Sequence, residues 1–398
     1  MSGTLRGRPV YLDNAATTAL DPAVAEVMCR CLSEAGAFAN PASVHIAGRA
    51  SRQLVERARA QIADLLRTEA RNLVFTSGAT ESDNLAIAGA AHSRSHRGRH
   101  LITMPTEHKA VTDTFAALGR QGFEVTWLKP GRDGSLPISD LEAAIRSDTQ
   151  LVSVMHVNNE TGVIQDIHEI GDCCRRHGVL FHCDAAQSVG KLPIDLSVLP
   201  VDLMSLTAHK FHGPQGIGAL YIADRRDCHI QPLFHGGGQE RRLRPGTLPV
   251  HQVVGFGAAA AIAAERQMQD LAHLERLNER LWRGLRSVPG ITRNGSAAHT
   301  FPGILNVSID GIEGESLMLA LEPLCVSSGS ACNSQRGESS YVLRALGLDD
   351  RQAQSAIRFS IGRFTRESDI DAAIARYREA VDRLRSIMPA RSAGTAAT

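Results

Sequence analysis

Two short segments, VLFHCDAAQ at residues 179–187 and DLMSLTAHK at residues 202–210, decide the fold. Each begins with an apolar run and ends in a polar cluster. The first run stops at an acid, Asp184, and the second leads to a lysine, Lys210. Short apolar runs between polar or turn-forming residues are typical of buried strands. We therefore predict two strands that carry an acid and an amine at their carboxyl ends.

The same pattern recurs on both sides of these segments, with stretches of helical period between the runs. Strands that alternate with helices predict an α/β fold around a mostly parallel, seven-stranded sheet that is buried on both faces. The first clear helix is predicted to begin near Asn40 and Pro41. The seven predicted strands are Leu73–Thr76, Leu101–Met104, Phe123–Leu128, Leu151–Val157, Val179–Cys183, Asp202–Leu206 and Gly218–Ile222.

After Ile222 the pattern changes, with a glycine-rich loop at 235–238 and then a long helical stretch. We predict a large domain over residues 15–260, a smaller α+β domain formed by 1–14 and 261–388, and a disordered tail over 389–398. The strands predicted for the smaller domain are Ile304–Ile309, Leu324–Ser327 and Ala356–Ser360, followed by an amphipathic helix that carries Ile370, Ile374, Tyr377, Val381 and Leu384.

Composition limits the classes of protein that this chain can represent. Of 398 residues, 43% are apolar and 21% are charged, which is typical of a globular enzyme. The formal net charge of +1 gives no long-range electrostatic attraction to nucleic acid or to a membrane surface. Residues 1–14 contain no apolar stretch long enough for a signal peptide, so we expect a cytoplasmic location. The eight cysteines include no C-x-x-C pair, and we expect them to be reduced.

Polar clusters follow five of the predicted strands, and the carboxyl ends of such strands are where open α/β sheets bind ligands. The cluster at 77–84, SGATESDN, combines a glycine with hydroxyl side chains before a helix, an arrangement that favours a phosphate group. The alternative is that Ser77 or Thr80 merely caps that helix. The other four clusters lie at 107–108, 158–162, 184–187 and 207–210.

An acid and a lysine at adjacent strand ends are what pyridoxal phosphate requires. The lysine forms the Schiff base, and the carboxylate pairs with the ring nitrogen. A surface ion pair between Asp184 and Lys210 is the alternative. It does not explain why the other strand ends carry groups suited to phosphate, and the convergence therefore favours the cofactor.

Several long motifs resemble the NifS/IscS-like cysteine desulfurases of the class-V aminotransferase family. The resemblance extends from about Tyr11 to Met388. The motifs are SGATESDN at 77–84, EHKA at 107–110, HVNNE at 156–160, DAAQSVGKLPID at 184–195, AHK at 208–210, GGGQER at 236–241, GTLPVHQ at 246–252 and SSGSAC at 327–332.

The resemblance implies a homodimeric, fold-type I pyridoxal-phosphate transferase that acts on L-cysteine. By this resemblance Lys210 forms the Schiff base, His108 stacks on the ring and moves protons, and Asp184 pairs with the ring nitrogen. Gln187 would bond the ring hydroxyl, and Arg358 would bind the substrate carboxylate with Asn159, which also contacts the cofactor. The remaining cofactor contacts implied are Ala79, Thr80, Thr207, Ala208 and His209, together with Thr247 of the partner subunit.

Cys332 differs from the other cysteines in its surroundings. It lies in a small, polar segment that we expect to be exposed and mobile, and Arg336 nearby would favour the thiolate. The resemblance implies that Cys332 accepts the sulfur of L-cysteine as a persulfide while L-alanine is released. No intrinsic metal site is expected, although the persulfide could transiently ligate a 2Fe–2S cluster together with a partner.

The acceptor of the persulfide stays open between an iron–sulfur scaffold and an enzyme that thiolates nucleic acids. Residues 390–398 do not resemble the segment with which housekeeping members dock the scaffold. Other departures are Thr207 in place of serine, Gln215 in place of lysine and Asn333 in place of threonine.

Three alternative functions fit the sequence less well. A selenocysteine lyase would not need Cys332, a non-catalytic sulfur carrier would not need Lys210, and no dinucleotide-binding glycine motif is present. The histidines at 92, 96 and 100 have a spacing that suits a metal, but neighbouring arginines favour a solvated surface instead.

Overall fold

The chain folds around a seven-stranded sheet, and the computed structural model describes residues 9–328 and 339–387. Spatial order in the sheet is β1-β7-β6-β5-β4-β2-β3, and β7 runs antiparallel to both of its neighbours. The α/β class and the mostly parallel sheet are confirmed. The strands are β1 (Leu73–Thr76), β2 (His100–Thr103), β3 (Glu124–Trp127), β4 (Thr149–Ser153), β5 (Leu180–Asp184), β6 (Leu203–Thr207) and β7 (Gly218–Ile222).

Helices alternate with these strands, as the sequence predicts, and cover both faces of the sheet. Within the described ranges, no helix is both long and apolar enough to cross a membrane. The helices are α1 (Pro22–Arg30), α2 (Ile46–Leu66), α3 (Ala79–Ser93), α4 (Lys109–Arg120), α5 (Ile138–Ala144), α6 (Ile167–Arg176) and α7 (Val250–Leu285).

A second, three-stranded sheet follows α7 in the chain, with spatial order β10-β9-β8. Its strands pair antiparallel. The elements of this region are β8 (Ile291–Arg293), β9 (Ile304–Ile309), α8 (Gly314–Ala320), α9 (Tyr341–Ala345), α10 (Asp350–Gln354), β10 (Ile357–Ser360) and α11 (Glu367–Ile387).

Alternating side chains of the large sheet enter two different apolar clusters. Phe75 of β1 packs with α2 and α7 on one face, whereas its neighbour Val74 packs with α3 and α4 on the other. This alternation follows from the two-residue period of a strand. Burial on both faces explains why the strands are apolar throughout.

A third apolar cluster lies between the small sheet, α11 and the second half of α7. Leu277 and Leu281 of α7 pack there with Tyr377 of α11, while Phe256 of α7 belongs to the large-sheet cluster. Helix α7 therefore contributes to both clusters and continues without a break across residue 260, where the boundary between the two domains was predicted. The division into two domains stays a prediction, and the predicted tail at 389–398 lies outside the described residues.

Two local predictions were wrong, and two short elements, α1 and β8, were not predicted. The first helix is α1, which Asp21 caps with Pro22 at its first position. The next helix begins at Ile46 and not near Asn40, because the Asn40 side chain accepts from the Ala42 amide and forms a turn instead. Residues 324–327 make isolated bridges rather than a strand, and the short strand β8 was not predicted.

Candidate active site

A cavity of about 630 Å³ lies at the carboxyl ends of the large sheet's strands. Five strands of this sheet end in segments that line it, which agrees with the general position of ligand sites in open α/β sheets. The predicted site residues among its lining are Ala79, Thr80, His108, Asn159, Asp184, Gln187, Thr207, His209, Lys210 and Arg358.

Two of the predicted site residues that the structure describes do not belong to this lining. Ala208 is fully buried between Thr207 and His209 and contributes packing. Thr247 is exposed and does not line the cavity of its own chain. Cys332 lies outside the described residues, so its predicted role stays a prediction.

Lys210 enters the cavity from the short 3-10 turn Ala208–Lys210 that follows β6. Its Nζ donates to the carbonyl oxygens of Ala15 and Ala16 at 2.6 and 2.7 Å. These contacts place an amine at the cavity wall. The segment 15–17 also lines the cavity and was not predicted, because no strand or recognisable motif precedes it.

Asp184 is the last residue of β5, and its carboxylate is buried in the cavity wall. Burial raises the pKa of Asp184, while the Ala186 amide, His108 and Lys210 act in the opposite direction. The Ala186 amide donates to Asp184 Oδ1 at 2.9 Å. This hydrogen bond fixes the orientation of the Asp184 carboxyl group, which lines the same cavity as the Lys210 amine.

His108 caps α4 and lines the same cavity. Its Nδ1 accepts from the Ala110 amide at 3.2 Å, and burial lowers the pKa of the ring. A neutral imidazole that accepts at Nδ1 carries its proton on Nε2. His108 is therefore a neutral, flat side chain at the cavity wall, suited to contact an aromatic ring.

The N-terminus of α3 lines the same cavity. Gly78 is its N-cap and supplies no side chain, so neither Ser77 nor Thr80 caps the helix as the alternative interpretation required. Thr207 and His209 lie beside it in the lining. Burial, with Lys210 and Lys191, lowers the pKa of His209 to about 4. Amides of a helix start that no side chain caps favour a phosphate group.

Arg358 reaches the cavity from β10 of the small sheet, with 2% of its surface exposed. Its Nη2 donates to Asp13 Oδ1 at 2.7 Å and its Nη1 to the Asn159 carbonyl at 2.8 Å. Among the described residues, Arg358 Nε and Asn159 Oδ1 have no hydrogen-bond partner although both are buried. Asp13 was not predicted, since a lone acid near the start of a chain carries no signal.

These groups fit pyridoxal phosphate. One cavity combines an amine for the aldehyde, a buried carboxylate for the ring nitrogen, a flat neutral imidazole for the ring face and an uncapped helix start for the phosphate. A buried guanidinium at the same cavity suits the carboxylate of an amino acid.

The fold and this site define a class of protein. A family model described as aminotransferase class-V matches residues 10–373, and the chain belongs to that family. The family depends on pyridoxal phosphate, so the cofactor predicted from the two strand ends is confirmed.

Particular relatives narrow the class further. The cysteine desulfurase IscS of Escherichia coli is 55% identical over 382 residues, which cover 96% of this chain and 95% of that protein. A solved structure named NifS-like protein is 37% identical, with a TM-score of 0.88, and covers 95% of this chain and 100% of that one. A structure of SspA in complex with cysteine is also 37% identical, with a TM-score of 0.79 over 89% of this chain and 99% of that one. The resemblance that the motifs indicate is confirmed.

The histidine run at 92, 96 and 100 is only partly on the surface. His100 lies in β2 and is fully buried, with Nδ1 2.7 Å from Thr149 Oγ1 and Nε2 2.8 Å from Thr126 Oγ1. The prediction of a solvated surface was wrong for His100, because strand β2 begins one residue earlier than predicted and includes it. Across 9–328 and 339–387, no group of three or more His, Cys, Asp or Glu side chains is placed to hold a metal ion.

Proposed function

We propose that this chain is a cysteine desulfurase. It takes the sulfur of L-cysteine as a persulfide on Cys332 and releases L-alanine. The persulfide then passes to an acceptor protein, either an iron–sulfur scaffold or an enzyme that thiolates nucleic acids. The identity with a cysteine desulfurase over nearly the whole length of both chains supports this proposal.

The observation that carries the proposal is that Lys210 and Asp184 line one cavity with Arg358. The first two suit the cofactor, and the third suits the carboxylate that every amino-acid substrate carries. A lyase for another amino acid would use the same three groups. The assignment to L-cysteine therefore depends on Cys332 and on the relatives.

Each residue has a defined task in this reaction. Bound pyridoxal phosphate would supply an electron sink for the bonds at the substrate's Cα. Arg358 and Asn159 orient the substrate carboxylate, and Lys210 Nζ takes the Cα proton. Asp184 would hold the ring nitrogen of the bound cofactor and balance a positive charge on it. The thiolate of Cys332 attacks the substrate's sulfur, and a sulfur–sulfur bond forms as the bond between that sulfur and the substrate's Cβ breaks. The electron pair of the broken bond stays with the substrate's carbon, which takes up protons to give L-alanine.

We propose a homodimer in which Thr247 of the partner subunit completes the phosphate site. The exposure of Thr247 away from its own cavity supports this arrangement. We also propose a cytoplasmic location, since the cysteines of the described residues are free thiols, which persist in a reducing compartment.

The test is to incubate the purified, cofactor-loaded protein with L-cysteine and a reductant, and to measure sulfide and alanine. Equal yields of both products are expected. Cys332→Ala should keep the visible absorbance of the cofactor and form no persulfide by mass spectrometry. Cys29→Ala, which changes an exposed cysteine, is the matched control and should retain full activity. Undiminished sulfide production by Cys332→Ala would overturn the role of this thiol.

A further inference from the structure

Lys191 is a second lysine close to the active site, and the proposed reaction does not use it. It lies seven residues after Asp184, and its Nζ donates to Gln187 Oε1 at 2.9 Å. Lys191 and Lys210 both line a small second cavity of about 30 Å³ behind the main one. Burial, Lys210 and Arg358 lower the pKa of Lys191 to about 7, in agreement with a desolvated position beside other cations.

The contacts of Gln187 with Ala15 and Lys191 determine which way its amide faces. The Ala15 carbonyl can only accept, so the amide nitrogen of Gln187 faces Ala15 and the amide oxygen faces Lys191, whose Nζ can donate to it in both its charged and its neutral form. Gln187 Nε2 then donates to the Ala15 carbonyl at 2.8 Å. This nitrogen carries two hydrogens, and the Ala15 carbonyl accepts one of them.

The same Ala15 carbonyl accepts from Lys210 Nζ at 2.6 Å. Lys191, Gln187, Ala15 and Lys210 thus form one continuous chain of hydrogen bonds that ends at the amine of the proposed Schiff base. Gln187 lines the main cavity, so the second hydrogen of its Nε2 remains for an acceptor bound there. If the Gln187 amide were reversed, its oxygen would face the Ala15 carbonyl oxygen and repel it, and the cavity would lose the N–H donor of Gln187.

We propose that Lys191 is a positioning residue that holds the Gln187 amide with its N–H groups toward the ring hydroxyl of bound pyridoxal phosphate. This inference rests on the proposed cofactor site and names a residue that acts on the cofactor through another side chain. A merely structural role is the competing explanation, because Lys191 Nζ also lies 5.5 Å from the ring centroid of Phe301.

The experiment compares two cofactors on the apoprotein. One is pyridoxal phosphate, and the other is deoxypyridoxal phosphate, which lacks the ring hydroxyl. Dissociation constants are measured for the original protein, for Lys191→Met and for Lys129→Met, a control at an exposed lysine. Lys191→Met should raise the dissociation constant of pyridoxal phosphate roughly three- to tenfold, as expected for the loss of one hydrogen bond. The dissociation constant of the analogue should stay unchanged.

Equal weakening of both cofactors, or of neither, would overturn the role of Lys191. Thermal unfolding of the apoprotein measures the packing of Lys191 on Phe301 separately. Gln187→Met, which keeps Lys191 in place, supplies a second comparison, because the preference for the hydroxyl must disappear there too. If the original protein binds neither compound, the proposed function fails, whereas binding of both with no coupling removes only the inference about Lys191.

Discussion

Arg59 and Glu240 form a buried, two-point ion pair, with Nη1–Oε2 and Nη2–Oε1 distances of 2.8 and 2.7 Å. Arg59 also donates to the Leu73 carbonyl, and Glu240 accepts from the Phe75 amide at 2.7 Å. The pair therefore ties α2 and β1 to the loop that leads to Thr247. Residues 240–242 have φ angles of 43°, 56° and 65°, a left-handed conformation that side chains other than glycine adopt at a cost.

We expect Glu240→Gln to destabilise the fold by about 1.5–3 kcal/mol, because it removes the buried one of the two carboxylates that pair with Arg59 and leaves only Glu56, which is more than half exposed. Urea-induced unfolding measures the difference in free energy. The control is Glu26→Gln, which breaks an exposed ion pair with Arg30 and should change stability by less than about 1 kcal/mol. If Glu240→Gln were as mild as the control, the pair would not be what holds the strained loop.

The sheet could be predicted from the sequence because its strands are continuous apolar runs between polar clusters. Leu73–Thr76 and Gly218–Ile222 match their predictions at both ends. The errors fall where tertiary contacts decide. The helix Pro22–Arg30 is short and has one fully buried side chain, Val24, so its period is weak. Strand β8 has only three residues, none of them fully buried.

The cavity could be predicted only where residues follow strands. Asp184 and Lys210 stand directly after apolar runs, and parallel strand order brings such ends together. Ala15 and Asp13 reach the site from a segment distant in sequence, for which Ser360 of β10 and His209 supply backbone contacts. The sequence of that segment contains no motif that indicates these partners. The hydrogen bonds from Lys210 Nζ to the carbonyls of Ala15 and Ala16 could therefore not be predicted.

Arg358→Lys should lower kcat/KM for L-cysteine roughly ten- to hundredfold, mainly through KM. Lysine cannot form the two parallel bonds that a guanidinium makes to a carboxylate. Steady-state kinetics give the two constants, and the cofactor's visible absorbance should remain. Arg351→Lys, at an exposed position of α10, serves as the control. An unchanged KM would mean that Arg358 does not bind the substrate.

Asp184→Asn should retain the cofactor and lower kcat by about 100-fold or more, because an amide cannot balance a positive charge on the ring nitrogen. The Ala186 amide can still donate to the oxygen of Asn, so the local fold should persist. Cofactor content is measured by absorbance and kcat by sulfide release. Asp172→Asn, at a half-exposed side chain of α6, is the control. Equal kcat values for both variants would contradict the assigned role of Asp184.

Asp83→Asn should stabilise the protein increasingly as the pH rises. Burial, with the charges of Asp184 and Glu107, raises the pKa of Asp83 well above its usual value. Its neighbour His182, 3.6 Å away, supplies no charge, because burial lowers its pKa to about 3. The folded state therefore keeps a proton that the unfolded state loses above about pH 4.

The sign follows from this difference in bound protons. The stability that the protonated Asp83 carboxyl contributes is fully present below its ordinary pKa and is lost as the pH rises toward the raised pKa, by up to about 1.4 kcal/mol per pH unit. Asparagine does not titrate and avoids this loss. Urea unfolding at pH 5 and pH 8 should show the advantage of Asp83→Asn growing by roughly 1–4 kcal/mol. The control Asp64→Asn, at an exposed position, should show no such growth. A pH-independent difference for Asp83→Asn would mean that the carboxyl is ionised in the folded protein.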